Sequence, residues 1–298
     1  MREPPRHLDT DDLLAAVRRE WDTDVTRVQH VPVGFGAHHW AAYCRDRPVY
    51  FVTFDRLGPK RSAEDLEAAY AGAVALRLAG LEFVVAPLTS ASGSPIARFG
   101  QGALSCTVWE HGQPGGPLDV AWTSQALGRL HDVPAPERIP VWKPLVPPGF
   151  VADMELRLGQ PWGPGPYADL ARNAVRDRLA DLAGWTARYH ELAGQAHGRA
   201  WVATHGEPHS DNQLLTARGR HLVDWESLKL AARERDLRVL LDAGEATVEA
   251  DPEMLQMFDL EWRLDEIDQY AAWFAAEHAG SEDDRIAFGD LLHELIRE

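Results

Sequence analysis

Two oxygen-bearing side chains, Asn212 and Asp224, are spaced symmetrically about a short predicted hairpin. Two apolar pairs, Leu214-Leu215 and Leu222-Val223, flank the turn signal Ala217-Arg218-Gly219. Because Asn212 lies six residues before Arg218 and Asp224 six residues after it, we expect them to face each other, with Cα atoms about 4.5–5.5 Å apart. An amide oxygen beside a carboxylate suits Mg²⁺ that is shared with substrate phosphates.

Glu207 is the acid whose position suits hydroxyl chemistry beside that pair. It lies five residues before Asn212, in the stretch His205-Gly206-Glu207-Pro208, where glycine and proline disfavour helix and strand. A carboxylate on a loop beside a metal pair is placed to orient or deprotonate a hydroxyl. Together the three residues indicate phosphoryl transfer.

Zinc is the alternative metal for this stretch. His205, Glu207 and His209 alternate along the chain, and imidazole nitrogens are good Zn²⁺ ligands. Pro208 disfavours a helix that would present both histidines on one face, and the sequence shows no obvious third ligand. We therefore favour Mg²⁺.

These stretches resemble the catalytic and metal loops of the aminoglycoside phosphotransferase family, which shares the protein-kinase fold. The resemblance rests on HGEPHSDN from His205 to Asn212 and on LVDWE from Leu222 to Glu226. LGRLHDVP, from Leu127 to Pro134, is similar to the family's helix end before the substrate insertion, and GFGAHH, from Gly34 to His39, stands where a phosphate-covering loop belongs. The spectinomycin-phosphotransferase branch is the most similar.

The resemblance implies an α+β, bilobal, protein-kinase-like fold with a small antiparallel-sheet N-lobe and a larger, mainly helical C-lobe. We expect the nucleotide-binding N-lobe to span residues 1–111, with a hinge near 109–112, and the catalytic and substrate-binding C-lobe to span residues 112–298.

The resemblance also implies catalytic roles. Asn212 and Asp224 hold Mg²⁺ against the phosphates, Glu207 accepts the hydrogen bond of the substrate hydroxyl, and His205 braces the loop. The family has aspartate where this chain has Glu207, and the extra methylene carries the carboxylate about 1.5 Å farther from the backbone. We therefore expect either a functional loop with an adjusted backbone or a weak enzyme.

The phosphate donor implied by the resemblance is ATP or GTP. Glycines let the backbone approach phosphates, with an ordinary glycine-containing hairpin as the alternative explanation. Neighbouring strand residues face opposite sides, so at most one of His38 and His39 contacts phosphate, and we assign His38. The backbone of the hinge near 109–112 is expected to form hydrogen bonds with the purine base of the nucleotide. The predicted nucleotide-binding residues are Gly34, Phe35, Gly36, His38, Thr53, Glu110 and His111.

Thr53 is the largest departure from the family pattern. It stands where the family has a lysine that pairs with the phosphates, so a neutral hydroxyl replaces a full positive charge. Arg56, Lys60 and Arg61 follow on a Gly-Pro loop and are candidates to supply the missing cation, although solvated loop cations are the commoner case.

A formal net charge of −16 favours cationic ligands and disfavours nucleic acid and anionic membranes as partners. Residues 251–298 carry fourteen acids against three arginines, most of which a solvated helix face explains. Segment 132–166 contains nine prolines and is expected to be an irregular wall of the substrate cleft, or else plain proline-rich packing. The predicted substrate-binding acids are Asp153, Glu155, Glu226 and Asp265.

Composition sets further bounds. The N-terminal stretch lacks the apolar region of a secretory signal, and no run of about 18 apolar residues exists to span a membrane. Cys44 and Cys106 are too few and too far apart for a disulfide framework, which fits a reducing cytoplasm.

The function predicted from these observations is transfer of the γ-phosphate of ATP or GTP to a hydroxyl of a small cationic molecule. Aminoglycosides, aminocyclitols and basic peptide antibiotics are the candidate acceptors, with antibiotic resistance by O-phosphorylation as the outcome. The alternative is a nucleotide-binding pseudokinase without transfer activity, which the departures at Thr53 and Glu207 favour.

Apolar periodicity predicts the elements that position these residues. The N-terminal helix begins at Asp9 or Thr10, and a second runs from Ser62 to about Ala79. Asp236 is expected to cap a helix that ends near Leu241. The predicted strands are 28–33, 40–43, 50–54, 83–86 and 103–109; the later helices are 167–194, 253–267, 268–278 and 282–297.

Overall fold

The computed structural model describes residues 2–5, 8–34, 36–58, 61–114, 116–244 and 249–297. Phe35 and Lys60, which carry predictions above, lie outside these residues. The chain forms two compact units, Met1–Trp142 with Ala200–Val248 and Lys143–Arg199 with Glu249–Glu298. The lobe boundary near 109–112 stays a prediction.

The first unit contains a five-stranded antiparallel sheet in the order β1-β2-β3-β5-β4. Helix α1 (Thr10–Glu20), capped by the Asp9 carboxylate as predicted, belongs to the core on one face of this sheet, where Leu13, Val17, Trp40, Val52 and Phe54 are buried. Alternate residues of β3, including Thr53 and Asp55, face the other side. The strands are β1 (Arg27–Val31), β2 (His38–Cys44), β3 (Arg47–Arg56), β4 (Ile96–Phe99) and β5 (Gly102–Val108).

The predicted strand at 83–86 is wrong. Val84 makes only an isolated parallel bridge to Leu222, while Phe83 and Val85 exchange backbone hydrogen bonds with the same leucine. The fifth strand is β4, which pairs with β5 through a tight turn at Gly100-Gln101. Both segments are short and apolar, so only their tertiary partners decide which one joins the sheet.

The remaining elements of the first unit hold the candidate site. Helix α2 (Ala63–Leu78) begins where Ser62 accepts a hydrogen bond from the Asp65 N–H, as predicted. Helix α3 (Val120–Asp132) ends at the predicted LGRLHDVP stretch. Strands β6 (Gly112–Pro114), β8 (Gln213–Thr216) and β9 (Gly219–Leu222) form one small sheet, and β7 (Trp201–Thr204) pairs with β10 (Lys229–Ala232); helix α7 (Glu234–Asp242) follows.

The hairpin of β8 and β9 has a register one residue from the predicted one. Thr216 pairs with Gly219 around a two-residue turn, so Gln213 pairs with Leu222. Asn212 therefore lies opposite Val223, whose N–H donates to the Asn212 carbonyl at 3.0 Å. The expectation that Asn212 faces Asp224 directly is wrong, because the turn is centred between Ala217 and Arg218 and not on Arg218.

The second unit is helical: α4 (Phe150–Gly159), α5 (Ala168–Asp177), α6 (Leu179–Ala196), α8 (Pro252–Ala275) and α9 (Glu282–Ile296). The predicted helix 167–194 is two helices, because Arg178 has a non-helical ψ of 11°. The predicted pair 253–267 and 268–278 is one helix, α8, which contains no glycine and no internal proline. Segment 132–166 includes the ten-residue α4 and is less irregular than expected.

Within the described part of the chain, no helix has both the length and the apolar character needed to cross a membrane.

Candidate active site

The loop that carries Glu207 is held by a buried acid, Asp236. Its carboxylate accepts from the N–H groups of His205, at 3.0 Å, and Gly206, at 2.6 Å, and bonds His131 Nε2 at 2.9 Å. Burial raises the pKa of Asp236, but the hydrogen bond and charge of His131 outweigh burial and lower it. The prediction that Asp236 caps a helix is wrong: α7 begins at Glu234, and Asp236 in its first turn braces the loop.

Gly206 gives this loop its backbone path. Its φ of +98° lies in the left-handed region that glycine adopts at little cost. A Cβ at this position would lie 2.2 Å from Arg235 Nη2. The Arg235 guanidinium donates to Thr204 Oγ1 at 3.0 Å, so it cannot retreat without losing that bond.

His205 is locked between two backbone groups. Its Nδ1 accepts from the Glu207 N–H at 3.2 Å, and its Nε2 donates to the Val223 carbonyl at 2.9 Å. Burial lowers the His205 pKa, which keeps the ring neutral. Both ring nitrogens of His205 are thus engaged. Among the described residues, no group of three or more His, Cys, Asp or Glu side chains is placed so that it could hold a metal ion.

Glu207 presents a partly accessible carboxylate, with 31% of the side chain exposed, 3.9 Å from His209 Nε2. Burial raises its pKa, but nearby His209 and the charge of Arg235 outweigh that effect and lower it. The carboxylate is therefore ionised near neutral pH. An ionised carboxylate that solvent can contact is able to accept a hydrogen bond from a hydroxyl.

Asn212 is tied to the same loop. Its Nδ2 donates to the Glu207 carbonyl at 2.9 Å, so the side-chain amide is oriented with its nitrogen toward the loop. The oxygen of the amide is the atom left for a metal. Asn212 ends a single 3₁₀ turn, Ser210–Asn212, immediately before β8.

Asp224 leaves the hairpin with a φ of +67°, a conformation that is uncommon for a non-glycine residue and costs energy. This backbone turn directs the chain away from the ribbon just after Val223. Burial, and then the charge of Asp224, raises the pKa values of Asp55 and Glu226, while Arg61 lowers both. Asp55 and Glu226, which both contact Arg61, form an acidic cluster together with Asp224.

Glu226 is buried beside Asp224. Its Oε2 has no hydrogen-bond partner among the described residues, and its Oε1 lies 3.5 Å from Arg61 Nη2. Burial, followed by the Asp224 charge, raises the Glu226 pKa well above its usual range. Two adjacent carboxyl groups, one with an unpartnered buried oxygen, form a set that a divalent cation would satisfy.

The cation in this cluster is Arg61. Its Nη1 donates to Asp55 Oδ1 at 3.0 Å, and Tyr70 Oη donates to Asp55 Oδ2 at 2.9 Å. Arg61 was one of three candidate cations predicted from the sequence, whereas Asp55 and Tyr70 were not predicted as site residues. A charged residue two positions after Thr53 on the same strand face was the available signal.

His39, and not His38, shares the strand face of Thr53. His39 Nδ1 lies 3.1 Å from Thr53 Oγ1, and its ring stacks on Phe51. His38 lies beside His30 and Trp40 on the opposite face. Nucleotide binding by His38 stays a prediction, but the geometry favours His39.

Gly34 and Gly36 have positive φ values of 70° and 90°, and a Cβ on Gly34 would lie 3.0 Å from His39 Nε2. The predicted phosphate loop is therefore adjacent to the Thr53 face.

The predicted hinge lines a cavity of about 520 Å³. Its wall includes Trp109, Glu110, His111, Leu215 and Thr216. Glu110 pairs with Arg218 of the β8–β9 turn, which connects the hinge to the catalytic hairpin. Binding of a purine by Glu110 and His111 stays a prediction.

Three predicted substrate acids lie in the second unit. Asp153 and Glu155 are exposed on α4, and because residues two apart on a helix do not share a face, only one of them can point toward a given ligand. Asp265 lies on α8, where its Oδ2 accepts from Gln269. Their predicted role, and that of Glu226, stays a prediction.

Proteins of known sequence and structure resemble this chain, although no protein-family model matches it. Protein StrN of Streptomyces griseus is 28% identical over 241 residues, covering 74% of this chain and 75% of StrN. A crystal structure of spectinomycin phosphotransferase with ADP and spectinomycin has a TM-score of 0.72 at 14% identity, covering 98% of this chain and 96% of that enzyme. An amicoumacin kinase with AMP-PNP, Ca²⁺ and its ligand has a TM-score of 0.57 at 13% identity, covering 97% and 93%.

Proposed function

Because this chain has the α+β, protein-kinase-like fold of spectinomycin phosphotransferase, as the resemblance predicted, we propose that it is a small-molecule O-phosphotransferase. It transfers the γ-phosphate of a nucleoside triphosphate to a hydroxyl of a small cationic acceptor. The observation that carries the proposal is the interlocked catalytic loop, in which Asn212 bonds the Glu207 carbonyl while the ionised Glu207 carboxylate stays partly accessible.

Glu207 acts on the acceptor. Its carboxylate accepts the hydrogen bond of the acceptor hydroxyl and takes the proton as the new oxygen–phosphorus bond forms and the bond to the β-phosphate oxygen breaks. The Asp236 brace keeps the backbone of the loop in place during this step. Positioning of this kind supplies most of the rate enhancement in phosphoryl transfer.

A divalent cation is assigned to Asn212 and Asp224. The amide oxygen of Asn212 and the carboxylate of Asp224 are hard oxygen donors, and the buried Glu226 Oε2 has no hydrogen-bond partner among the described residues. Asn212 and Asp224 would hold Mg²⁺, which supplies charge neutralisation at the phosphates when bound.

The acceptor is a cation on two grounds. The net charge of −16 favours positively charged ligands over anionic ones. The crystallised relatives of the same fold bind spectinomycin and amicoumacin, respectively. We propose an aminocyclitol, an aminoglycoside or a basic peptide antibiotic as the acceptor, and resistance by O-phosphorylation as the outcome.

A mass-spectrometric screen tests the proposal. The protein is incubated with Mg²⁺, ATP or GTP, and each of the three acceptor classes, and products are searched for the mass of one added phosphoryl group. The Asp224→Asn variant serves as the matched negative control. Nucleotide binding without any phosphorylated acceptor contradicts the proposal.

That outcome supports the second candidate, a nucleotide-binding pseudokinase. Thr53 in the lysine position and Glu207 in place of aspartate are the observations in its favour. Thermal stabilisation by ATP in the absence of turnover distinguishes the two functions.

A further inference from the structure

We infer that Arg61 binds the phosphates of the donor nucleotide, held above the Thr53 face of the sheet by Asp55 and Tyr70. This inference rests on the proposed function. It identifies a binding residue that lies outside every strand and outside the catalytic hairpin.

The charges of the site favour a cation at this position. A triphosphate brings several negative charges to a site that already contains the acids Asp55 and Asp224, so negative charge is in excess even with Glu226 protonated. One divalent ion on Asn212 and Asp224 leaves an excess of negative charge, which a fixed guanidinium offsets.

The contacts of Arg61 fix its position. Asp55 is buried on β3, two residues from Thr53 on the same face, and is held from the other side by Tyr70 Oη at 2.9 Å. Arg61 Nη1 donates to Asp55 Oδ1 at 3.0 Å, and Nη2 lies 3.5 Å from Glu226 Oε1. The buried carboxylate of Asp55 thus anchors the Arg61 guanidinium beside Glu226 in the acidic cluster.

Beyond its contacts with the described residues, the Arg61 guanidinium has N–H groups that can donate to a ligand. Arg61 is 37% exposed at its side chain, whereas the side chains of Asp55 and Glu226 are 1% and 9% exposed. The two contacts engage two of the five N–H donors of an arginine, and the contact to Glu226 is long. A guanidinium with spare donors and solvent access is suited to bidentate recognition of phosphate.

Arg56, the neighbouring cation on β3, is less well placed than Arg61 to contact phosphates on the Thr53 face of the sheet. Arg56 is exposed at the end of β3, and its sequence position places it on the face opposite Asp55. Lys60 lies outside the described residues and is included in the test as a rival.

Nucleotide affinities of variants test the inference. Arg61→Gln should weaken ATP binding about 10- to 100-fold, because charge-assisted hydrogen bonds to phosphate are lost, while adenosine binding stays unchanged. Arg61→Lys keeps the charge without the planar fork and should give an intermediate ATP affinity. Arg56→Gln and Lys60→Gln are matched controls and should bind ATP as the wild type does.

Each outcome decides a different point. Equal ATP affinity in Arg61→Gln and wild type, or a loss found in Lys60→Gln instead, overturns the inference. Equal losses for ATP and adenosine also overturn it, because they show that Arg61 only supports the fold. A wild-type protein that binds neither ligand overturns the proposed function itself.

A second measurement uses the unaltered protein and does not depend on folding of the variants. Phenylglyoxal modifies accessible arginines, and peptide mass mapping locates the modified positions. ATP should protect Arg61 from modification, whereas adenosine should not. Modification of Arg61 at the same rate with and without ATP contradicts the inference.

Discussion

At the scale of single residues, the candidate site has Glu207 where the resembling family has aspartate. It has Arg61 as the proposed phosphate-binding cation in place of a lysine at the Thr53 position. Glu207 carries an extra methylene relative to aspartate, and His209, two residues on, lies 3.9 Å from its carboxylate. The backbone before Glu207 is held by Asp236, which accepts from the His205 and Gly206 N–H groups.

We predict that Glu207→Gln lowers kcat at least about 100-fold, because the amide cannot take the proton of the acceptor hydroxyl. Nucleotide affinity should stay unchanged, since Glu207 does not contact the nucleotide in the proposed mechanism. Glu207→Asp retains a base but shortens its reach, and misplacement of about 1 Å costs about 100-fold. Steady-state kinetics measures both effects, with thermal unfolding as the control for folding. Wild-type turnover in Glu207→Gln removes this residue from the mechanism.

His39 makes stability depend on pH. Burial lowers its pKa to about 4 from an ordinary 6.5, against the opposing charge of Asp224. The unfolded chain therefore binds a proton between these values that the folded protein does not bind. The stabilising contribution of neutral His39 is complete above pH 6.5 and is lost as pH falls through 4.

We predict that wild type loses about 3 kcal/mol more unfolding free energy than His39→Asn between about pH 7 and about pH 4. Asparagine keeps a nitrogen near the Nδ1 position for the bond to Thr53 but has no titratable group. Burial raises the pKa of Asp55 to about 6, and that group titrates in the same range in both proteins, so its effect cancels in the comparison. Urea unfolding at the two pH values measures the difference. Parallel pH profiles contradict the prediction.

At the scale of elements, the proposed catalytic groups lie on loops that regular structure holds in place. Helix α7 supplies Asp236 and Arg235, which fix the backbone before Glu207. The β8–β9 hairpin positions Asn212, and the left-handed turn at Asp224 ends that hairpin. Helix α7 thus holds the loop at three points: Asp236 accepts from the His205 and Gly206 N–H groups, and Arg235 lies against Gly206.

We predict that Gly206→Ala destabilises the protein by about 1–3 kcal/mol, because alanine is strained at this φ and its Cβ collides with Arg235. Displacement of the loop should also lower kcat by about 100-fold. Gly184→Ala is the matched control: Gly184 is exposed within α6 with open space around it, and alanine there should stabilise by about 1 kcal/mol. Chemical denaturation and kinetics compare the two. Equal behaviour of the two variants shows that Gly206 has no special conformational role.

At the scale of the whole molecule, the acidic character is the dominant electrostatic feature. A net charge of −16 raises the local concentration of cations and lowers that of anions. In the proposed reaction the donor nucleotide is an anion, so the positive charges of Arg61 and of Mg²⁺ would have to offset the acidic surface for nucleotide binding. The same surface would favour the proposed cationic acceptor.

We predict that the KM for a polycationic acceptor rises several-fold as ionic strength increases from about 0.01 M to about 0.15 M, because the Debye length falls from about 30 Å to about 8 Å. An N-acetylated acceptor, which lacks the positive charges, is the control and should show a constant KM. Initial-rate measurements at saturating nucleotide give both values. A salt-independent KM for the cationic acceptor shows that the surface charge does not contribute to its binding.

The sequence by itself determined the features that depend on short stretches of chain. Four of the five strands of the large sheet and the caps at Asp9 and Ser62 follow from local periodicity and side-chain hydrogen bonding, whereas the α+β class followed from the family resemblance. The motif from His205 to Asn212 also identified the fold, which the structural relatives confirm. Such signals extend over a few residues, so a single sequence shows them.

Tertiary structure alone decided the contacts between distant residues. The hairpin register shifted by one because the turn type, and not the count of residues about Arg218, sets strand pairing. Asp236 is 31 residues from His205, and Arg61 is 165 residues from Glu226, so no local pattern predicts that either pair meets. Those contacts form because buried charges require partners, and only the folded chain determines which partners are within reach.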